Sequence, residues 1–252
     1  MSRLSEPRSA STRGVLASKA PILCYVTDGR NLAVDPSKRE RELLGKVKLA
    51  AAAGLDWIQV REKDLTGKEE SSLVRHAMDC VRRHGDFPDS RTRICVNERL
   101  DAAIAEGADG AHFGENSLPF GAISEIRHVL AARLGPRGTD FALGFSCHSL
   151  ESARLAAAAG VDYIFFGPVF ETPSKAAFGP PQGLPRLAEV CAGVSIPVIA
   201  IGGINLKNAA ECIRAGAAGM AAIRIFQESK NLQHDVQVLR EAIGHAEGAG
   251  QR

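Results

Sequence analysis

Short apolar runs alternate along the chain with longer mixed stretches of helical character. The runs predict strands over Pro21–Thr27, Trp57–Arg61, Arg93–Asn97, Gly110–Phe113, Phe141–Ser146, Tyr163–Gly167, Pro197–Ile201 and Gly219–Arg224. Each is rich in β-branched or aromatic residues and is bounded by Gly, Pro, Asp or Asn. Between them lie predicted helices such as Glu40–Ala53, Lys68–His84, Leu150–Ala159 and Leu206–Ala215, and a short one at Ile225–Glu228. Strands that are apolar almost throughout bury both faces, which means a parallel sheet covered by helices. Eight such units in 252 residues favour a single-domain α/β architecture, a (β/α)8 TIM barrel, over a doubly wound open sheet. Turns of the form Ala53-Gly54-Leu55-Asp56 and Ala159-Gly160-Val161-Asp162 fit helix C-caps feeding the next strand.

Composition adds boundaries more than chemistry. A content of 45% hydrophobic residues supports one large core, and the formal charge of +2 points to neither nucleic acid nor membrane as a partner. No apolar stretch is long enough to span a bilayer. The six cysteines (Cys24, Cys80, Cys95, Cys147, Cys191, Cys212) form no Cys-x-x-Cys pair, so they read as packed thiols in a reducing cytoplasm. Residues 1–19 read as a disordered N-terminal extension without a secretory signal, residues 20–246 as the barrel, and residues 247–252 as a polar tail. Nothing in the pattern reveals the oligomeric state.

In a barrel of this kind the polar residues gather where strands end, which is where such folds bind ligands. The second strand runs into Gln59-Val60-Arg61-Glu62-Lys63-Asp64, and alternation sends Gln59, Arg61 and Lys63 to a common side, toward the axis. Buried cations need an anion, so these donors suit an anionic ligand. The competing reading is an internal ion-pair lattice with Glu62 and Asp64. Further rim groups are Asn97-Glu98, then Glu115-Asn116-Ser117, then Ser146-Cys147-His148. His112, one residue inside its strand, reads as a packed histidine. The segment Gly167-Pro168-Val169-Phe170-Glu171-Thr172-Pro173-Ser174-Lys175 joins hydroxyls to an ammonium just past a strand end, a set that suits a phosphate or diphosphate. Gly202-Gly203 after the seventh strand and Ile223-Arg224 at the end of the eighth supply further phosphate-binding candidates.

Together the segments Gln59–Lys63, Asn97–Arg99, Ser146–His148, Gly167–Lys175 and Ala200–Ile204 resemble the thiamine phosphate synthase/TenI family over about Pro21 to Phe226. The resemblance implies one of two enzymes. The synthase condenses hydroxymethylpyrimidine diphosphate with thiazole phosphate, releasing diphosphate in a dissociative reaction assisted by magnesium. The tautomerase aromatises a thiazole carboxylate phosphate without metal, and His148 in Ser-x-His is then the acid/base residue. Carried over by position, Gln59, Arg61, Lys63, Asn97, Ser146 and Lys175 contact the pyrimidine diphosphate, with Lys63 and Lys175 assisting catalysis. Thr172, Ser174, Gly203, Ile223 and Arg224 fall around the thiazole phosphate.

This chain departs from the synthase pattern at both magnesium aspartates. Glu98 stands at one position and Ser117 at the other, and Glu115, two residues earlier, is the candidate to compensate. The departures leave three readings open: synthase, tautomerase, and a catalytically silent phosphate-binding barrel.

Overall fold

The computed structural model describes residues 20–82, 92–172 and 180–249. Eight parallel strands close in sequence order into a barrel: β1 Ile22–Val26, β2 Trp57–Val60, β3 Arg93–Asn97, β4 Gly110–Phe113, β5 Ala142–Cys147, β6 Tyr163–Phe166, β7 Val198–Ile201 and β8 Gly219–Ala222. Helices α1 Pro36–Ala52, α2 Gly67–Arg82, α3 Leu100–Ala105, α4 Ala122–Leu134, α5 Leu150–Ala159, α6 Gly183–Gly193, α7 Ala209–Arg214, α8 Arg224–Gln227 and α9 Leu232–Ala249 connect and follow them. The expected (β/α)8 barrel is thus the observed fold.

Strand alternation divides the apolar residues into two cores. Ile22, Cys24, Val26, Trp57, Tyr163, Phe165, Ile199 and Ala221 fill the barrel interior. Their neighbours along the strands, including Leu23, Ile58, Ile94, Val96, Leu143 and Ile164, pack outward against the helices. All six cysteines are free thiols, and among the described residues no helix is long and apolar enough to cross a membrane.

A repeated clamp closes the lower end of the barrel. Gly54, Gly107 and Gly160 turn the chain through positive φ after α1, α3 and α5, and two residues later stand Asp56, Asp109 and Asp162. Each aspartate accepts a backbone N–H from the preceding strand: Leu23 at 2.7 Å, Ile94 at 2.8 Å and Leu143 at 2.7 Å. Each also binds an arginine from a surrounding helix, namely Arg240, Arg82 and Arg127. The sequence reads the Gly54 and Gly160 turns as C-caps only; the clamp is their second role.

Several expected boundaries move, for local reasons. The first helix begins at Pro36 instead of Glu40, because Asp35 caps it by accepting the Lys38 N–H at 2.8 Å and proline suits the first helical position. The helix expected from Leu206 begins at Ala209. There Asn205 Oδ1 accepts the Lys207 N–H and Asn208 Oδ1 accepts the Asn205 N–H, two bonds that hold a turn ahead of the helix. The eighth strand stops at Ala222, since Ile223 already has helical angles, so Arg224 opens α8 and is not a strand end. The last helix continues to Ala249, past the Glu247 at which a tail is expected.

On α2, Glu70 is a buried carboxyl whose nearest cation, Arg99 Nη1, is 3.9 Å away. Burial pushes its pKa up to about 7, and Arg99 offsets this only in part. A carboxyl raised in the folded state favours folding at low pH and loses that contribution as pH climbs from the ordinary carboxylate range through about 7. Glu70→Gln is therefore expected to stabilise the fold by roughly 2 kcal/mol at pH 8 and to change little at pH 5. Thermal or urea unfolding at the two pH values checks this; an equal effect at both contradicts it.

Candidate active site

The upper rim carries, among the described residues, most of the groups expected from the sequence. Gln59 is buried and faces inward, and its Nε2 donates to Asn97 Oδ1 at 3.0 Å. Parallel pairing of β2 with β3 brings the two strand ends side by side. With that oxygen occupied, the pair presents the remaining amide donor of Asn97 and the oxygen of Gln59 to a ligand.

Arg61 follows β2 and is half-buried. Its backbone N–H donates to Thr27 Oγ1 at 2.9 Å, which fixes where its side chain leaves the chain. The ion-pair lattice that competed with ligand binding does not form. Glu62 alternates to the other side, where it accepts from Thr27 Oγ1 at 2.6 Å and Gly29 N at 2.8 Å, while Asp64 pairs with Arg39 at 2.6 Å. Among the described residues the Arg61 guanidinium has no hydrogen bond or ion pair. Burial lowers its pKa, with Arg30 adding to the effect and Asp28 opposing it. Lys63 is exposed, and its pKa is lowered first by Arg61, then by burial and Arg30. With both cations lowered, and Lys63 lowered most by Arg61, the pair forms a positive site suited to an anion.

The β3 and β4 ends meet through Glu98. This residue has φ 65°, a left-handed conformation that non-glycine residues rarely adopt. Its Oε1 accepts from Gly114 N at 2.9 Å and from Ser117 Oγ at 2.7 Å. The two positions that depart from the family pattern are therefore bonded to each other. Glu115 is engaged elsewhere: its Oε1 accepts the His148 N–H at 3.2 Å. Among the described residues no three His, Cys, Asp or Glu side chains gather into a metal cage.

At the β5 end, Ser146 is half-buried, and its Oγ lies 3.0 Å from His112 Nε2. His112 is packed inside the barrel, as its place in the strand implies. His148 Nδ1 donates to the Gly167 carbonyl, so this ring ties the β5 loop to the β6 loop. Thr172 is half-buried after β6, whereas Ser174 and Lys175 lie outside the described residues.

The remaining phosphate candidates sit above β7 and β8. Gly202 and Gly203 have φ of 98° and 68°, and the β6 loop runs alongside them through Val169 N to Ile201 O at 2.9 Å and Phe170 N to Gly202 O at 3.0 Å. Ile223 packs onto the barrel interior, and the exposed Arg224 follows it as the first residue of α8. Gln227 straps α8 to the β1 end. Its Oε1 accepts from the Tyr25 hydroxyl at 2.8 Å and Asp28 N at 3.1 Å, and its Nε2 donates to Asp28 O at 2.8 Å. Sequence reasoning passes over Gln227, although a glutamine beside the apolar Ile225-Phe226 pair is the available signal.

A closed parallel barrel with its cations, amides and hydroxyls at the carboxyl ends of the strands defines a (β/α)8-barrel enzyme. Residues 30–226 match the family described as Thiamine monophosphate synthase, so the chain belongs to the thiamine monophosphate synthase family. It is 40% identical over 203 residues to the thiamine-phosphate synthase of Methanoculleus marisnigri, covering 81% of this chain and 89% of that protein. A putative thiamine-phosphate synthase of Geobacter sulfurreducens is also 40% identical, over 73% of this chain and 78% of the relative. Among solved structures, the thiamine phosphate pyrophosphorylase of Pyrococcus furiosus superposes with a TM-score of 0.71 at 27% identity, covering 94% of this chain and 99% of that one.

Proposed function

We propose that this chain condenses hydroxymethylpyrimidine diphosphate with thiazole phosphate to give thiamine phosphate and diphosphate. The observation that carries this reading is the Arg61–Lys63 cation pair, which forms no direct ion pair among the described residues and is set beside the Gln59–Asn97 amide pair and Ser146. In the reaction the bond from the pyrimidine methylene carbon to the diphosphate oxygen breaks, and the electron pair leaves with the oxygen. The thiazole nitrogen then donates its lone pair to that carbon, so no proton needs to move. The chemistry requires charge stabilisation on the leaving group more than a general base. Arg61 and Lys63 hold the diphosphate, Gln59, Asn97 and Ser146 orient the pyrimidine, and Gly203, Thr172 and Arg224 hold the thiazole phosphate. Lys175 and Ser174 complete the two ends by their positions in the motif. Six free thiols fit a reducing cytoplasm as the place of work.

The residues at the β3 and β4 ends fit a magnesium ion that arrives with the diphosphate. Magnesium binds through one or two carboxylates plus substrate phosphates and keeps several waters. Glu98 supplies one carboxylate, and the Ser117 hydroxyl and Gly114 N–H both hold its Oε1. When bound, the ion neutralises charge on the departing diphosphate. Ser117→Asp adds a second carboxylate and is expected to tighten Mn2+ binding to the substrate-free protein by on the order of 10-fold, within the range second-shell changes produce. Mn2+ titration by electron paramagnetic resonance reads this directly; unchanged affinity removes position 117 from the site.

Purified protein incubated with both substrates, with and without magnesium, is expected to form thiamine phosphate only with the metal. Absence of product at every magnesium concentration overturns the proposed reaction.

A further inference from the structure

Below the rim the barrel interior holds a hydrogen-bonded column that the reaction described above leaves unexplained. Ser146 Oγ stands 3.0 Å from His112 Nε2, and Nδ1 of the same ring stands 3.2 Å from the Tyr163 hydroxyl. His112 and Tyr163 are both fully buried. Three adjoining strands build the column in one register: His112 of β4 lies opposite Gly144 of β5, and Gly144 lies opposite Tyr163 of β6. A Cβ at position 144 would come within 2.1 Å of Tyr163 Cζ. Gly144 thus clears the middle strand so that the tyrosine reaches across it to the histidine. Phe165, the register partner of Ser146, covers the imidazole with ring centroids 4.2 Å apart.

The column also fixes a proton arrangement. Burial, reinforced by Arg61, lowers the His112 pKa to about 3, so the ring is neutral and has one donor nitrogen and one acceptor. Tyr163 also adjoins the Cys95 thiol, but sulfur is the weaker acceptor. The tyrosine hydroxyl therefore donates to Nδ1, which leaves the ring proton on Nε2 and directed at Ser146 Oγ. With its oxygen accepting from below, the serine hydroxyl proton is free to point up into the site, toward an acceptor such as a pyrimidine ring nitrogen.

We propose that His112, held by Tyr163, is a positioning residue that turns the Ser146 hydroxyl toward the ring nitrogen of the pyrimidine substrate and so sets selectivity for that half of the substrate pair. This rests on the synthase reading, and the test separates the two. A glutamine at position 112 can set its amide nitrogen near the place of Nε2, whereas an asparagine reaches only near Nδ1. His112→Asn is expected to raise KM for hydroxymethylpyrimidine diphosphate by about 10-fold, the size of one lost hydrogen bond, and His112→Gln to stay within about 3-fold of wild type. KM for thiazole phosphate is expected to stay unchanged in both. Ser146→Ala combined with His112→Asn is expected to cost no more than the worse single change, because the two residues act as one unit.

Equal losses in the Asn and Gln variants, parallel rises in both KM values, or multiplying losses in the double variant overturn the proposal. Thermal melting establishes that each variant is folded. If His112→Asn does not fold, Tyr163→Phe takes its place, with the same rise confined to the pyrimidine substrate expected and an unchanged KM overturning the proposal. Calorimetric titration of the wild type with the pyrimidine diphosphate isolates the underlying reading. Failure to bind removes the synthase assignment together with this role, whereas normal binding with indifferent variants removes this role alone.

Discussion

Arg61→Ala is expected to lower kcat/KM for the pyrimidine diphosphate by about 10²- to 10³-fold, the loss typical of removing one preorganised charge-stabilising donor. The reason lies in what the guanidinium lacks. Glu62 and Asp64 are its sequence neighbours and its obvious partners, yet one bonds Thr27 and Gly29 and the other pairs with Arg39. A half-buried cation left in this state has already lost much of its water and has no direct ion pair among the described residues, although Asp28, Glu62 and Glu98 act on it from further off. An arriving diphosphate thus meets a site whose desolvation cost was met during folding. Arg61→Lys should recover only part of the loss, because an ammonium keeps the charge but not the two-pronged geometry. Steady-state kinetics with varied pyrimidine diphosphate checks both variants. An alanine variant within threefold of wild type would remove Arg61 from the diphosphate site.

Gly203→Ala is expected to destabilise the fold by roughly 3 kcal/mol and to raise KM for thiazole phosphate. Two costs combine at this position. The residue has φ 68°, where an L side chain is strained by roughly 1–2 kcal/mol. A Cβ there would lie 2.4 Å from the Glu171 carbonyl oxygen and 2.7 Å from the Phe170 carbonyl carbon, both parts of a backbone that cannot swing aside. Relief requires the β6 loop to move, and overpacking of that kind costs about 1–3 kcal/mol. Since Thr172 follows directly on that loop, the displacement reaches the thiazole phosphate end of the site. The melting temperature should fall by about 6–12 °C for a domain of this size. A variant that melts with the wild type would show that the two loops yield more easily than their spacing implies.

Much of the barrel was legible because each strand is a short apolar run between strong punctuators. Arg93–Asn97 and Gly110–Phe113 are found with the boundaries the sequence suggests. Where boundaries moved, a local polar contact overrode the pattern, as with the two asparagines ahead of α7 and the Asp35 cap of α1. The choice at Arg61 between a ligand and an internal lattice was not readable, because it depends on the side that Glu62 and Asp64 take. Glu98 and Ser117 looked like two separate losses; only the fold shows them bonded, through a backbone angle that no glutamate advertises. The Ser146–His112–Tyr163 column was hidden for a different reason. It crosses three strands, and its middle member contributes an absence of side chain.

The three aspartate clamps beneath the barrel bear on how such a molecule is able to change over generations. Asp56, Asp109 and Asp162 recur at even intervals, one for each pair of strands from β1 to β6, and each welds a preceding strand and an encircling helix to the same lower turn. The scaffold is therefore assembled as like modules, each secured at the end remote from the ligands. Replacements at the opposite end, at positions such as Glu98 and Ser117, can be made there without loosening the joints that keep the barrel closed.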